Sequence, residues 1–327
     1  MNPENIIPDN ISIFCIIVTH NPQEAAFERT LNAIFTQTPD HLISEIVVVD
    51  NDSDLKFIEW LEAQKKCKII EMGFNAGVGA AQNRGITWAI NRGGSHILLM
   101  DQDSLPLKDM VANLILASLK LEGYRDQSLE ASSVVVGPRI FDPRIGKDFP
   151  FVRFGYWFVK RDVCVKGTGK QYRRTDFLIA SGMLIPVSVL NQVGLMNEDL
   201  FIDNVDLEWG FRAMQFGFPL YGVCDAILEH HLGDKVVEVN IGKGVRIYQH
   251  PPLRQYYMMR NRIILYKKTY SPSAWIIQDF FRMILKLIFV VLFFPDRSAN
   301  IVMIYKGIRD GFCQIRNSEF GIRNSER

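Results

Sequence analysis

An α/β fold with a mostly parallel central sheet, flanked by helices, follows from two features of the amino-acid sequence. Apolar, β-branched runs of strand length alternate with stretches of helical spacing over the first hundred residues, and each long run ends in a cluster of polar turn formers. Ile11–Val18 is almost continuously apolar, the pattern of a strand buried on both faces. It ends at Thr19-His20-Asn21-Pro22. Glu24–Thr36 has helical spacing, Glu45–Val49 reads as a second buried strand closed by Asp50-Asn51-Asp52-Ser53, and Leu55–Gln64 as a second helix. A short strand at Cys67–Glu71 leads through Gly73-Phe74-Asn75-Ala76-Gly77-Val78-Gly79 into a helix ending near Asn91. His96–Met100 is the next strand, closed by Asp101-Gln102-Asp103-Ser104. Ligands of such sheets bind beyond the carboxyl ends of the strands, and three polar clusters fall there.

Past a helix at Val111–Leu121 and a strand at Ser132–Gly137, the stretch Asp142–Arg174 is rich in Gly, Arg, Lys and aromatics without clean periodicity, and reads as strands and loops shaping an acceptor site. Regularity returns at Asp176–Pro186, a helix near Val187–Val193, and the acidic segment Phe201–Met214.

The formal net charge of +1 gives no global sign of nucleic-acid binding, but it conceals an asymmetry. Residues 1–247 carry 24 Lys and Arg against 31 Asp and Glu, whereas 248–327 carry 13 against 5. An acidic body with a basic end suits a protein that holds a metal and sits on an anionic surface. The five cysteines, Cys15, Cys67, Cys164, Cys224 and Cys313, are widely spaced and form no CxxC pair, so they read as small buried thiols in a reducing compartment. The N-terminal stretch lacks the basic flank of a secretory signal, which predicts a cytoplasmic protein.

Four segments carry chemistry. Asp101-Gln102-Asp103 offers two hard carboxylate ligands for Mg²⁺ or Mn²⁺, although a solvated turn would use the same residues. In Phe201–Arg212, a helix from about Val205 puts Asp206 in its first turn and Glu208 four residues before Arg212. A carboxylate fixed there can take a proton from an attacking hydroxyl, and an ordinary capped helix with surface ion pairs would look alike. Glu229–Asp234 contains His230, a competent metal ligand or a satisfied strand-end histidine. Arg254–Arg262 presents bases at helical spacing that could reach phosphate oxygens or simply face solvent.

Together these segments resemble glycosyltransferase family 2, of the GT-A fold, over roughly residues 11–261. The resemblance is carried in order by VTHNP (Val18–Pro22), VVVDNDS (Val47–Ser53), NAGVGAAQNRG (Asn75–Gly85), LLMDQDS (Leu98–Ser104), ASGMLI (Ala180–Ile185), FIDNVDLEWGFRA (Phe201–Ala213) and HLGD (His231–Asp234) with His230 before it. LLMDQDS, FIDNVDLEW and RQYYMMRN look like the rhamnosyltransferase subgroup. The resemblance implies an inverting, metal-using transferase with dTDP-L-rhamnose as donor and a lipid-linked or growing cell-surface polysaccharide as acceptor, with UDP-hexose, galactofuranose or N-acetylhexosamine donors as alternatives. A non-catalytic sugar-nucleotide-binding scaffold is the other class of reading. The resemblance places Thr19 and Asp50 against nucleobase and ribose, and assigns Asn21, Asn51, Asn75, Gly77, Asn83, Asp101, Ser181, Gly182 and Arg260 to donor binding. It makes Asp101, Asp103 and His230 the metal ligands. The common Glu-Asp pair of the family is Val205-Asp206 here, with Asp203 upstream; Asp206 is the expected base from its spacing to Arg212, and Asp203 the second choice.

These readings divide the chain into a GT-A domain over 1–262 (donor half to about 110, acceptor half after it), an amphipathic helical region over 263–315, and a disordered tail over 316–327. Within Trp275–Phe294, the charged residues Asp279, Arg282 and Lys286 interrupt a run that would otherwise approach the ~20 apolar residues of a spanning helix. Two apolar stripes with net positive charge suggest docking at the inner face of the cell membrane, or packing on the catalytic domain or in a homodimer.

Overall fold

The computed structural model describes residues 7–8, 10–39, 42–123, 133–155, 158–165, 171–230, 235–239, 245–294 and 296–325. The first half runs β1 (Ile13–Thr19), α1 (Glu24–Phe35), β2 (Ile43–Asp50), α2 (Leu55–Gln64), β3 (Lys68–Glu71), α3 (Val78–Ile90), β4 (His96–Asp101), β5 (Leu105–Pro106) and α4 (Met110–Gly123). It continues with β6 (Val135–Asp142), β7 (Lys147–Asp148), β8 (Phe151–Phe154), β9 (Val159–Asp162), β10 (Tyr172–Thr175), β11 (Leu184–Pro186), α5 (Val187–Val193), a 3₁₀ turn at Glu198–Leu200 and α6 (Val205–Gln215). The last part holds β12 (Leu220–Glu229), β13 (Lys235–Val239), β14 (Val245–Gln249), α7 (Pro252–Tyr266), α8 (Ser273–Phe293) and α9 (Arg297–Ser325).

The main sheet has the order β10-β12-β6-β11-β4-β1-β2-β3, and within it only β10 and β11 run against the rest. The sheet is mostly parallel, as the alternating pattern predicts. Side chains alternate along a strand, so β1 feeds two cores. Ile13, Cys15 and Ile17 join Phe27 and Leu31 of α1, Phe57 and Leu61 of α2, and Leu114 of α4 on one face. Phe14 and Ile16 join Ile86 and Ala89 of α3 and Trp209 of α6 on the other. Burial on both faces is the physical reason the β1 sequence is an unbroken apolar run.

The cysteine reading needs correction at two positions. Cys164 and Cys224 form a disulfide, with Cα atoms 5.5 Å apart. A separation of 60 residues hides this proximity: Cys224 lies on β12, which pairs with β10, and Cys164 follows β9 directly. Cys15, Cys67 and Cys313 are free thiols. The C-terminal end also differs from expectation. The backbone of α9 is helical to Ser325, through the stretch read as a disordered tail.

The two C-terminal helices pack on the body rather than trailing from it. Trp275 of α8 is edge-on to Phe211 of α6 at 5.2 Å and to Tyr266 of α7 at 5.6 Å. Arg262 and the Tyr266 hydroxyl both donate to Asp279, at 2.8 and 2.7 Å, and the Tyr270 hydroxyl donates to Glu208 at 2.6 Å. Asp279, one of the charges that interrupt the apolar run of α8, is therefore buried and paired. Among the described residues, no helix is long and apolar enough to cross a membrane. Trp275→Ala should lower unfolding free energy by about 3–5 kcal/mol, the usual loss for a buried aromatic. Urea denaturation checks this; a loss below about 1 kcal/mol would mean α8 packs only loosely on α6 and α7.

Candidate active site

The carboxyl ends of β1, β2 and β4 form the floor of a cleft of about 780 Å³. Beneath it, buried Thr19 donates to Asp50 Oδ1 at 3.0 Å, and Asp50 Oδ2 accepts the Ser53 backbone N–H at 2.9 Å. Asn51 spans the next gap, donating to Asn75 Oδ1 at 3.0 Å and accepting the Ala76 N–H at 2.8 Å. His20 Nδ1 lies 2.9 Å from the Asn51 carbonyl. These bonds fix the turn that precedes α3. Gly77 ends that turn at φ +87°, and a Cβ there would lie 2.6 Å from the Phe201 carbonyl oxygen, which instead accepts the Val78 N–H at 2.7 Å. Only glycine combines this backbone conformation with so close an approach.

On the cleft wall, Asp101, Asp103 and His230 present ligand atoms that all lie within 4.8 Å of one another. Asp101 Oδ2 is 3.8 Å from His230 Nε2, and Asp103 Oδ1 is 4.0 Å from Nδ1. Two carboxylates and an imidazole suit Mg²⁺ or Mn²⁺. Behind them runs a line of hydroxyls: the Asp101 N–H donates to Ser181 Oγ at 3.2 Å, Ser181 donates to Ser104 Oγ at 2.8 Å, and Ser104 Oγ lies 2.6 Å from His230 Nδ1. In the tautomer whose Nδ1–H donates to Ser104, Nε2 keeps its lone pair for a metal, the usual outer-shell arrangement of a ligating histidine. Burial holds the Asp101 carboxyl above the usual carboxylate range; His230 opposes this and Asp103 adds to it.

A smaller pocket of about 220 Å³ shares Val78, Asp101, His230 and Arg254 with the cleft and adds Asp203, Asn204, Asp206, Gln82 and Ala180. Its acidic wall is formed by residues 203–206, and Phe201 and Ile202 just before them line the cleft. Phe201, Asp203 and Asn204 all have φ near +63°, a left-handed conformation that costs free energy for residues with side chains. The surroundings hold it in place. The buried Asn261 side chain of α7 donates to the carbonyls of Leu200, Ile202 and Asp203, at 2.9, 2.8 and 2.8 Å. Tyr257 stacks on Phe201 at 4.7 Å. Arg254 Nε contacts both oxygens of Asp203, at 3.2 and 3.1 Å. Asp206, by contrast, takes backbone donors: its oxygens accept the Ala180 and Leu207 N–H groups at 3.2 and 2.8 Å. Burial pushes Asp206 up to about 6, with nearby Asp101 and Asp203 adding to the rise and the two N–H donors opposing it.

Of the residues that the sequence nominates, Asn51, Asn75, Gly77, Asp101, Asp103 and His230 line the cleft, and Asp206 and Asp203 line the pocket beside it. Thr19 and Asp50 lie under the floor; Asn21 braces the β1 turn, accepting the Asp54 N–H at 2.8 Å. Ser181 acts from behind the metal group, and Gly182 (φ +82°) lies packed against Pro138. Two nominated side chains make their contacts within the protein. Asn83 spends its amide on Met196 and Glu198, tying α3 to the segment before α6. Arg260 turns to the Asp199 carbonyl and Asn261 and stacks 4.8 Å over Tyr257. Arg254 lines the cleft instead. His20, Gln102 and Arg144 also line it without having been nominated. The HLGD segment, His231 to Asp234, lies outside the described residues.

The pattern of glycosyl transferase family 2 matches residues 14–122, which hold β1 to β4 and the Asp101–Asp103 pair. Over 299 residues, 91% of this chain and 94% of the relative, the sequence is 29% identical to the dTDP-rhamnosyl transferase RfbF of Shigella flexneri. The chain carries a family 2 glycosyltransferase domain. Galactofuranosyltransferase GlfT1 of Mycobacterium tuberculosis is also 29% identical, over 77% of this chain and 81% of the relative. Among solved structures, GalNAc-T7 with UDP, GalNAc and Mn²⁺ superposes with a TM-score of 0.57 at 17% identity, covering 81% of this chain; the chain spans 50% of that protein's length. S. aureus TarS 1-349 gives 0.51 at 15% identity, over 92% of this chain and 81% of that one. These structures share the GT-A fold with the glycosyltransferase described here.

Two measurements test this geometry. Asn261→Ala leaves three loop carbonyls without their donor and should cost about 1–3 kcal/mol in urea denaturation; a neutral result would mean the loop holds itself. Mn²⁺ should raise the melting temperature of the native glycosyltransferase and leave Asp103→Ala unchanged, because a ligand that binds only the folded state stabilises it. An equal rise in both proteins would place the ion elsewhere.

Proposed function

We propose that this glycosyltransferase moves L-rhamnose from dTDP-L-rhamnose to a hydroxyl of a lipid-linked or growing cell-surface saccharide by a single, inverting displacement, with Asp206 as base. The observation that carries the reading is the contrast between the two acids of one pocket. Asp203 is held by the Arg254 guanidinium, whereas Asp206, pushed up to about 6, is placed to accept a proton. The acceptor oxygen gives its proton to an Asp206 carboxylate oxygen as it bonds to the anomeric carbon. The bond from that carbon to the diphosphate oxygen breaks, and dTDP leaves.

Asp101, Asp103 and His230 would hold Mg²⁺ or Mn²⁺, which when bound supplies positive charge to the departing diphosphate. Arg254 and Arg144 line the same cleft, held there by Asp203 and Asp142. Gln82 Oε1 and Asn204 Nδ2, in the residues lining the Asp206 pocket, have no hydrogen-bond partner among the described residues, which suits a ligand rich in hydroxyls. The rhamnosyl donor is favoured by the match to RfbF, which spans nearly the whole of both chains. The shorter GlfT1 match makes UDP-galactofuranose the second donor to test.

Asp206→Asn should lower turnover by about 10²–10⁴-fold with donor binding retained, the usual contribution of general-base catalysis. If Asp203→Asn proves the more damaging to turnover and Asp206→Asn is mild, the assignment is reversed. The base must be ionised to act, so its raised value predicts that kcat/KM falls as pH drops through about 6 rather than through the ordinary carboxylate range. A rate flat down to pH 4.5 would contradict that.

A further inference from the structure

One face of α8 is committed to the protein and the opposite face is bare. Asp279, Met283 and Val290 are buried against α7 and α9, and Lys286 lies with its ammonium 3.3 Å from the Met258 sulfur. On the other side Ile277, Phe280, Phe281, Ile284, Leu285, Ile288 and Leu292 are all exposed, from 37% to 62%. At 3.6 residues per turn these seven fall within an arc of about 140° running the length of the helix. Of the twenty large apolar residues that are exposed among the described residues, eleven lie between Ile277 and Phe312. A patch of this kind on a surface helix marks an interaction site.

The charge around the patch says what covers it. Exposed Lys267 and Lys268 precede α8, Arg282 flanks the stripe about 100° round from Phe281, and exposed Arg297 and Lys306 follow on α9. Against these stand exposed Asp296 and half-buried Asp310, and Asp310 is paired with Arg309 at 2.8 Å. An apolar stripe edged by positive charge matches the boundary between acyl chains and anionic headgroups. A two-fold contact with a second copy would bring the same patch, with its basic rim, against itself. A spanning arrangement is ruled out by the inner face, since Asp279 is buried and half-buried Lys286 is turned to the protein. We infer that the outer face of α8, extended by Ile301, Val302 and Tyr305 of α9, docks the enzyme flat on an anionic phospholipid bilayer. The docked helix is the one that packs behind α7, whose Arg254 and Asn261 hold the acidic loop, so the bilayer lies on the C-terminal side of the active site. This inference does not depend on which sugar is transferred.

The test uses the full chain, because α8 is part of the core around Trp275 and a truncation would confound folding with docking. Phe281→Glu, Leu285→Glu and Ile288→Glu, combined, alter only partly or fully exposed positions, and circular dichroism melting checks that the fold survives. In flotation with vesicles of phosphatidylglycerol and phosphatidylcholine, the native protein should float at low salt. The triple variant should lose roughly tenfold or more of the bound fraction. Native binding to pure phosphatidylcholine vesicles should be weaker than to the mixture, and Arg282→Glu with Lys306→Glu should remove that difference. Equal flotation of native and triple variant overturns the inference, as does the absence of native flotation. A native dimer in sedimentation velocity that the triple variant converts to monomer, with no flotation, overturns it in favour of a second copy. If the triple variant does not fold, the charge variant decides: undiminished flotation on anionic vesicles contradicts the role given to the basic rim.

Discussion

The amide nitrogen of Asn261 donates to three carbonyls of one short strained segment. Its bonds to the carbonyls of Leu200, Ile202 and Asp203 fix a segment in which three non-glycine residues have positive φ. Such a conformation persists only where the surroundings determine it. Everything chemical on that side of the cleft follows from it: the Phe201 carbonyl reaches the first turn of α3, Asp203 meets Arg254, and α6 starts where Asp206 can lie between the Ala180 N–H and the pocket. Because Asn261 belongs to α7, and α7 is packed by α8 and α9, the C-terminal helices support the site as well as carrying the bare apolar face.

The site concentrates acids, and its design can be read as a way of keeping them apart in role. Asp101, Asp103, Asp203 and Asp206 lie around two adjoining pockets, where like charges raise one another's proton affinity. Arg254 takes Asp203, and His230 stands against Asp101 and Asp103. Asp206 is left with two backbone donors, and burial outweighs them. A group in that position is suited to take a proton, whereas Asp203, clasped by a guanidinium, is suited to hold its charge.

Much of the sheet was legible because β1, β2 and β4 are buried on both faces and so leave unbroken apolar runs in the sequence, with their polar ends at the cleft. The Asp101–Asp103 pair and His230 came together although 127 residues separate Asp103 from His230, and that proximity rests on β5 pairing with β12. Side-chain direction and long-range pairing are what local spacing hides. Arg254 and Asn261 are seven apart and share a helix face, which meets the acidic loop; Arg260 is six from Arg254 and falls on another. The resemblance of the Asn75–Gly85 segment assigned Asn83 to donor binding, whereas its side chain bonds Met196 and Glu198. The Cys164–Cys224 disulfide depends on the antiparallel pairing of β10 with β12, a long-range contact with no trace in local spacing. The left-handed run at Phe201, Asp203 and Asn204 carries no glycine to announce it.

The stereochemistry of transfer tests the central assignment most directly, since one base and one displacement leave a defined mark on the product. With dTDP-L-rhamnose and a saccharide acceptor, the anomeric proton and carbon signals of the purified product report its configuration by NMR. Attack by an Asp206-activated hydroxyl predicts inversion relative to the donor in all of the product. Retention would require a covalent or front-side route and would contradict Asp206 as the base of a single displacement.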